Sequence, residues 1–214
     1  MKADGTILAR KFIDFTSDKD RMIHTMNRTR RKQSKYGPKS ARGLWAYVKR
    51  LNEDRAKKIS AAIVEFASQH SVDAIVMEHL NFKGCKKRGS KAQKLSMWNH
   101  GIIREKAEQK AHLLGIRIAT ICAWKTSALA FDGSGSVTRD DNNHALAKFT
   151  TGKQYNCDLS ASYNIGARYF IRELLKSLPA TEESRVKAKV PDVGRRTSCT
   201  LSTLRALVKE LSAA

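Results

Sequence analysis

The chain has 214 residues, enough for one sizeable core or at most two domains, and a hydrophobic content of 41% excludes a wholly disordered basic tail. Lys+Arg 41 against Asp+Glu 20 leaves a net charge of +21, so the expected partner is a polyanion held by salt-sensitive, sequence-independent contacts. With no apolar run of spanning length and no signal-peptide pattern at Met1–Arg10, no membrane partner is expected and the location expected is the cytoplasm.

Asp4-Gly5 is a tight-turn signal, and the alternation from Thr6 to Ile13 after it predicts a strand. Such a turn needs a strand before it, and only Met1, Lys2 and Ala3 precede it, so an absent first strand or an exposed sheet edge is expected. From Ser17 to Lys35 the composition predicts a helix capped by Ser17 or Asp18, with a cationic cluster at Arg28, Arg30, Arg31, Lys32 and Lys35. Tyr36-Gly-Pro38 ends it. A second helix is predicted from about Leu44 to His70, its apolar stripe formed by Leu44, Val48, Leu51, Ile59, Ile63 and Phe66. The two make a helical hairpin over 17–70, and its cations fit phosphate contact as well as a merely solvated face.

Ala74 to Met77 is a short apolar run of the kind shown by a strand buried on both faces, and Glu78 follows it directly. Asn81 and a flexible basic loop come next, with Lys83, Lys86, Lys87, Arg88, Lys91 and Lys94 broken by Gly84 and Gly89. That loop could hold a nucleic-acid strand or serve solubility. Trp98, Ile102, Ala107, Ala111 and Leu114 mark a further helix closed by Gly115, and Ile116–Cys122 reads as the next strand. Beyond Ser127 the sequence loosens into a long loop, where Phe131, Phe149 and Tyr155 could equally stack on bases or pin the loop to the core. Asp158 is expected to cap a helix with an apolar stripe of Ala167, Ile171, Leu174 and Leu178. Pro179 to Cys199 reads as a linker, and Leu201, Leu204, Val208 and Leu211 form a short terminal helix.

This order predicts an α/β domain over 1–178, with a mixed sheet flanked by helices, followed by 179–214 as linker and tail. An RNase H-like sheet would fit. The cysteines Cys85, Cys122, Cys157 and Cys199 stand singly with no CxxC pair, so reduced thiols are expected rather than zinc or disulfides. The chemistry expected is carried by Glu78, at the carboxyl end of a strand where α/β sheets place ligands, and by Asp158. Two acids in a strongly basic chain fit divalent metal acting on a phosphate backbone, and they also fit a solvated strand end and a plain N-cap.

The strings IVMEHLNFKG, ICAWKTSALAFDGSG and YNCDLSASYNIGARYFIRELLKSLPA together resemble the TnpB (OrfB) proteins of bacterial insertion sequences, relatives of the type V CRISPR nucleases. The similarity runs over nearly the whole chain from Asp4, with the three motifs in the family's order. The resemblance implies a transposon-encoded, RNA-guided DNA endonuclease with a RuvC domain of RNase H-like fold. It implies DNA, a guide RNA from the transposon end and a full-length or amino-terminal TnpB piece as partners. Glu78 and Asp158 match the second and third RuvC acids, which would hold magnesium or manganese.

Two departures from the family follow. The strand carrying its first aspartate belongs before Asp4, so the chain is expected to be the carboxyl-terminal part of such a protein, nearly inactive alone, or a binding repressor or accessory subunit. Asp14, at the far end of the next expected strand, is not expected to substitute. The family's four-cysteine zinc ribbon matches Ala130, Gly133, Lys148 and Thr151 here, so residues 125–157 are expected to be a degenerate ribbon without zinc.

Overall fold

The structure is a computed structural model, which describes residues 1–80, 97, 99–195 and 197–213. Helix α1 (Thr16–Tyr36) turns Met22, Thr25 and Thr29 inward at three- and four-residue spacing. Its buried hydroxyls are satisfied within the helix: Thr25 donates to the Arg21 carbonyl and Thr29 to that of Thr25, both at 2.8 Å. Neither Ser17 nor Asp18 caps it. The helix begins after Phe15 without a side-chain cap, and Asp18 sits in its first turn, where a carboxylate favours the exposed N–H groups.

A 3-10 turn, Pro38–Ala41, leads into α2 (Arg42–Gln69). The buried line of α2 is Val48, Asn52, Ala56, Ser60, Val64 and Ala67, whereas the expected Leu44, Leu51, Ile59, Ile63 and Phe66 are half-buried. Small residues take the centre because a neighbouring helix axis passes close there, and the larger side chains splay to either side. That neighbour is α3 (His100–Leu113), which contributes the fully buried Ala107 and Ala111. Asn52 and Asn99 lock the pair: Asn52 Nδ2 donates to Asn99 Oδ1 at 3.0 Å and Asn99 Nδ2 to the Asn52 carbonyl at 2.7 Å. Gly115 closes α3 at φ +69, as the sequence predicts, with Ile116 N–H reaching the Ala111 carbonyl at 2.9 Å and Gly115 N–H that of His112 at 3.1 Å. Leu114, expected in the apolar stripe, is exposed instead.

Strands β1 (Ala74–His79) and β2 (Arg117–Cys122) form a two-stranded sheet. Ala74 to Glu78 are half-buried, not enclosed on both faces, in keeping with so narrow a sheet. The strand expected at Thr6–Ile13 is absent. The Asp4-Gly5 turn does form, with Gly5 at φ +80 and Lys2 N–H donating to the Thr6 carbonyl at 2.9 Å, but no ladder continues from it, and a strand without a partner has no place for its backbone groups. The mixed sheet expected from sequence is correspondingly reduced among the described residues.

Most of the expected loop is ordered. Strands β3 (Thr138–Arg139), β4 (Leu146–Lys148) and β5 (Gln154–Asn156) make a three-stranded antiparallel sheet, and Ala130, Ala147, Phe149 and Cys157 form its own small core. Phe131, Phe149 and Tyr155 belong to an aromatic cluster, with ring centroids 4.9 Å apart for Phe131 and Tyr155, so they pin this segment.

Helix α4 (Cys157–Ser177) is capped by Asn156, whose side chain accepts from Leu159 N–H at 3.0 Å. Asp158 is therefore a first-turn residue, not the cap. The stretch expected as a linker instead holds α5 (Ala180–Lys189) and a 3-10 turn, Pro191–Gly194, and leads to α6 (Leu201–Ser212) behind a Thr200–Thr203 capping box. Val186, Val193, Cys199, Leu201, Leu204 and Leu207 join Tyr163, Ala167 and Ile171 in one buried cluster. The tail is core, because apolar spacing over Leu201–Leu207 fits a packed helix.

The chain divides into two compact units, one of Met1–Arg10, Val76–Asn81 and Ala119–Ala214, the other of Lys11–Ile75 and Phe82–Ile118, and this division crosses the boundary expected at residue 178.

Candidate metal centre and nucleic-acid interface

Glu78 lies one residue from the carboxyl end of β1 and is half-buried. The turn after β2 brings Thr126 to it: the buried Thr126 hydroxyl donates to Glu78 Oε1 at 2.5 Å. Thr126 is in turn fixed by α4. Asn164, fully buried, donates through Nδ2 to the carbonyls of Thr126 at 3.0 Å and Leu129 at 2.9 Å, and its Oδ1 accepts from Leu201 N–H at 3.3 Å.

One turn along α4, Arg168 is 5% exposed, a position where a guanidinium survives only if its donors are satisfied. Its Nη1 donates to the carbonyls of Cys122 at 2.9 Å and Trp124 at 2.7 Å, its Nη2 to Thr197 at 2.8 Å and its Nε to Cys199 at 3.2 Å. Burial pushes the Arg168 pKa down from its ordinary value, and nearby Cys199, Cys122 and Glu78 pull it back. A turn further, Arg172 Nη1 donates to the Thr120 carbonyl at 2.8 Å. Asn164, Arg168 and Arg172, spaced four apart, thus bind the backbone of β2 and of the turn that follows it. Sequence reasoning missed this line and Thr126. The available signal was polar residues at four-residue spacing, Asn164, Arg168 and Arg172, beside the apolar stripe of the same helix.

Asp158 is exposed in the first turn of α4, in the same compact unit as Glu78. Both offer hard carboxylate oxygens, and magnesium takes one or two protein carboxylates with water and phosphate oxygens completing its shell, so the donor chemistry fits that ion. Among the described residues no three His, Cys, Asp or Glu side chains gather into a metal-ligating group. Asp14 accepts from the Thr16 hydroxyl at 3.2 Å, beside the start of α1.

On α1, Arg28, Arg30, Arg31, Lys32 and Lys35 are all exposed. Arg28, Arg31, Lys32 and Lys35 fall three or four apart and share a face, next to the exposed ring of Tyr36, over which Lys35 Nζ sits 5.1 Å from the centroid. Lys83, Lys86, Lys87, Arg88, Lys91 and Lys94, with Asn81, Gly84, Cys85, Gly89 and Trp98, lie outside the described residues. No described helix is long and apolar enough to cross a membrane.

At the ribbon positions, Ala130 is fully buried, Gly133 stands at φ +83 in a turn closed by its N–H on the Ala130 carbonyl at 3.2 Å, and Lys148 ends β4. Thr151 precedes Gly152, whose N–H donates to the Phe149 carbonyl at 2.9 Å. The Thr150 hydroxyl donates to the Ser134 carbonyl at 2.5 Å, joining the two turns.

Helical units, a small antiparallel sheet and a strand-end acid therefore define a mixed helix-and-sheet protein. No protein-family model matches the chain, and no curated protein matches its sequence. Its fold is similar to that in the cryo-EM structure of the Cas12f1-sgRNA-target DNA complex, with a TM-score of 0.56 and 20% sequence identity over 74% of this chain. The chain spans 44% of the length of that protein.

Proposed function

We propose that the chain is the carboxyl-terminal, RNase H-like part of a TnpB-type RNA-guided DNA endonuclease, with Glu78 and Asp158 as two of its metal-binding acids. The observation that carries this reading is the Glu78 carboxylate at the end of β1, tied through Thr126 to the helix that bears Asp158. The fold likeness to a protein solved with guide RNA and target DNA agrees with it, as does the net charge of +21. Magnesium at these carboxylates would activate a water and stabilise the leaving oxygen at phosphorus. The chain's own work is to hold the two acids and to grip the phosphate backbone through the cationic face of α1.

A second reading is favoured by the net charge of +21 and the exposed cationic face of α1: a nucleic-acid-binding repressor or accessory subunit that does not cut. A nicking assay with magnesium separates the two, run on the chain supplemented with an amino-terminal segment of a TnpB protein and a matched guide. Cleavage lost on Glu78→Ala or Asp158→Ala supports the nuclease reading, and cleavage that survives both substitutions overturns it. Tight DNA and RNA binding without cleavage establishes the second.

A further inference from the structure

Thr126 holds more than a buried hydroxyl requires. Its Oγ1 lies 3.1 Å from the Ala123 carbonyl in its own turn and 2.5 Å from Glu78 Oε1. A hydroxyl has one proton to give, and a charged carboxylate is the stronger acceptor. The Ala123 carbonyl alone would have satisfied the turn, so the bond to Glu78 acts on the carboxylate.

Arg168, a buried cation near Glu78, does not take over this task. Four of its hydrogen bonds go to backbone carbonyls, and it forms no ion pair with Glu78 among the described residues. The orientation of Thr126 is itself imposed, because both amide donors and the acceptor of the buried Asn164 are engaged by backbone groups, including the Thr126 carbonyl.

We infer that Thr126 is the positioning residue of the candidate metal centre: it fixes one oxygen of Glu78 and leaves the other presented to a cation, with Asn164 fixing Thr126 from α4. This rests on the reading of Glu78 as a metal ligand. Hydrogen-bonding partners of metal-binding carboxylates govern affinity by about 10- to 100-fold when removed.

The test is calorimetric titration of the full chain with manganese, for the unaltered protein and for Thr126→Val, Thr126→Ser, Glu78→Gln and Asp158→Asn, alongside thermal melts. Thr126→Val is expected to weaken manganese binding about 10-fold, with Thr126→Ser restoring it to within about twofold because the hydroxyl returns. A purely structural role for Thr126 would lower the melting temperature and leave the affinity of the folded protein unchanged. Manganese binding by Thr126→Val equal to that of the unaltered chain overturns the inference and leaves the metal reading standing. No binding by the unaltered chain, or binding indifferent to Glu78→Gln and Asp158→Asn, overturns the metal reading and the inference with it. Should Thr126→Val fail to fold, Thr126→Ser carries the test with Thr126→Cys, whose weaker donor is expected to give an affinity below that of Thr126→Ser; equal affinities then overturn the inference.

Discussion

The helices α1 to α3 and the helices α4 to α6 solve the same packing problem by opposite means. Between α2 and α3 the buried line holds mostly small side chains, Ala56, Ser60, Ala67, Ala107 and Ala111 among Val48, Asn52 and Val64, and axes approach closely over it. Around α4 the interior holds Leu201, Leu204 and Leu207 together with a buried guanidinium that clamps four carbonyls. The first arrangement leaves long cationic side chains exposed on α1, and the second fixes a carboxylate and its support to within a hydrogen bond. On the function proposed above, a surface that grips a flexible polyanion tolerates loose side chains, whereas a metal-binding carboxylate does not.

The largest effect that could break this contrast is at Arg168. Arg168→Met leaves four carbonyls without their donor, at roughly 1–3 kcal/mol for each buried group, so a loss of about 4 kcal/mol or more is expected in urea denaturation. Overpacking the other region with Ala107→Leu is expected to cost about 1–3 kcal/mol by the same measurement. If Ala107→Leu proves the costlier of the two, the clamp is not what distinguishes the regions.

Cys199 sharpens the comparison through pH. Burial pushes its thiol from an ordinary value of 9.0 up to about 11, so the folded chain keeps this proton where the unfolded chain releases it. Its contribution is fully present below pH 9.0 and is lost as pH rises to about 11. The part of the alkaline fall in stability removed by Cys199→Ala should be on the order of 2–3 kcal/mol. Below pH 9.0 an alkylating reagent should label the exposed Cys122 and spare Cys199. Reversing charge at Arg28, Arg31 and Lys35 is expected to have the smallest effect on stability, within about 0.5 kcal/mol each. The same triple substitution should flatten the log-log salt dependence of DNA binding by roughly 2–3 units. An unchanged slope would place the phosphate contacts elsewhere.

Much of the helical architecture was legible because periodicity records which side faces in: α1, α2 and α3 lie within a few residues of their expected bounds. The centre of the α2 stripe was misjudged because Ala and Ser read as neutral in a hydrophobic pattern although they mark the closest contact. Residues Thr6–Ile13 alternate as a strand does, yet strand formation depends on a neighbour that local sequence does not contain. The Pro179–Cys199 stretch looked like a linker for want of apolar residues. Its helix rests on Val186, on Glu182 and Glu183 in the first turn, and on the Glu183–Lys187 pair. Glu78 and Asp158 stand out in the sequence as candidates, whereas Thr126, Asn164 and Arg168 do not. Their partners are backbone groups and one carboxylate tens of residues away, so the four-residue spacing of Asn164 and Arg168 marks a polar line on the helix without revealing what it binds.

The buried cluster that unites Tyr163 with Leu201, Leu204 and Leu207 also dictates when the polypeptide can fold during synthesis. Until the ribosome has released the segment 201–212, α4 lacks the part of its apolar surface made by Leu201, Leu204 and Leu207, and Asn164 lacks the N–H of Leu201. The nascent chain must therefore wait, exposing greasy side chains that chaperones would have to shield, and a chain broken off before Leu201 would lose the three bulkiest fully buried side chains of that interior.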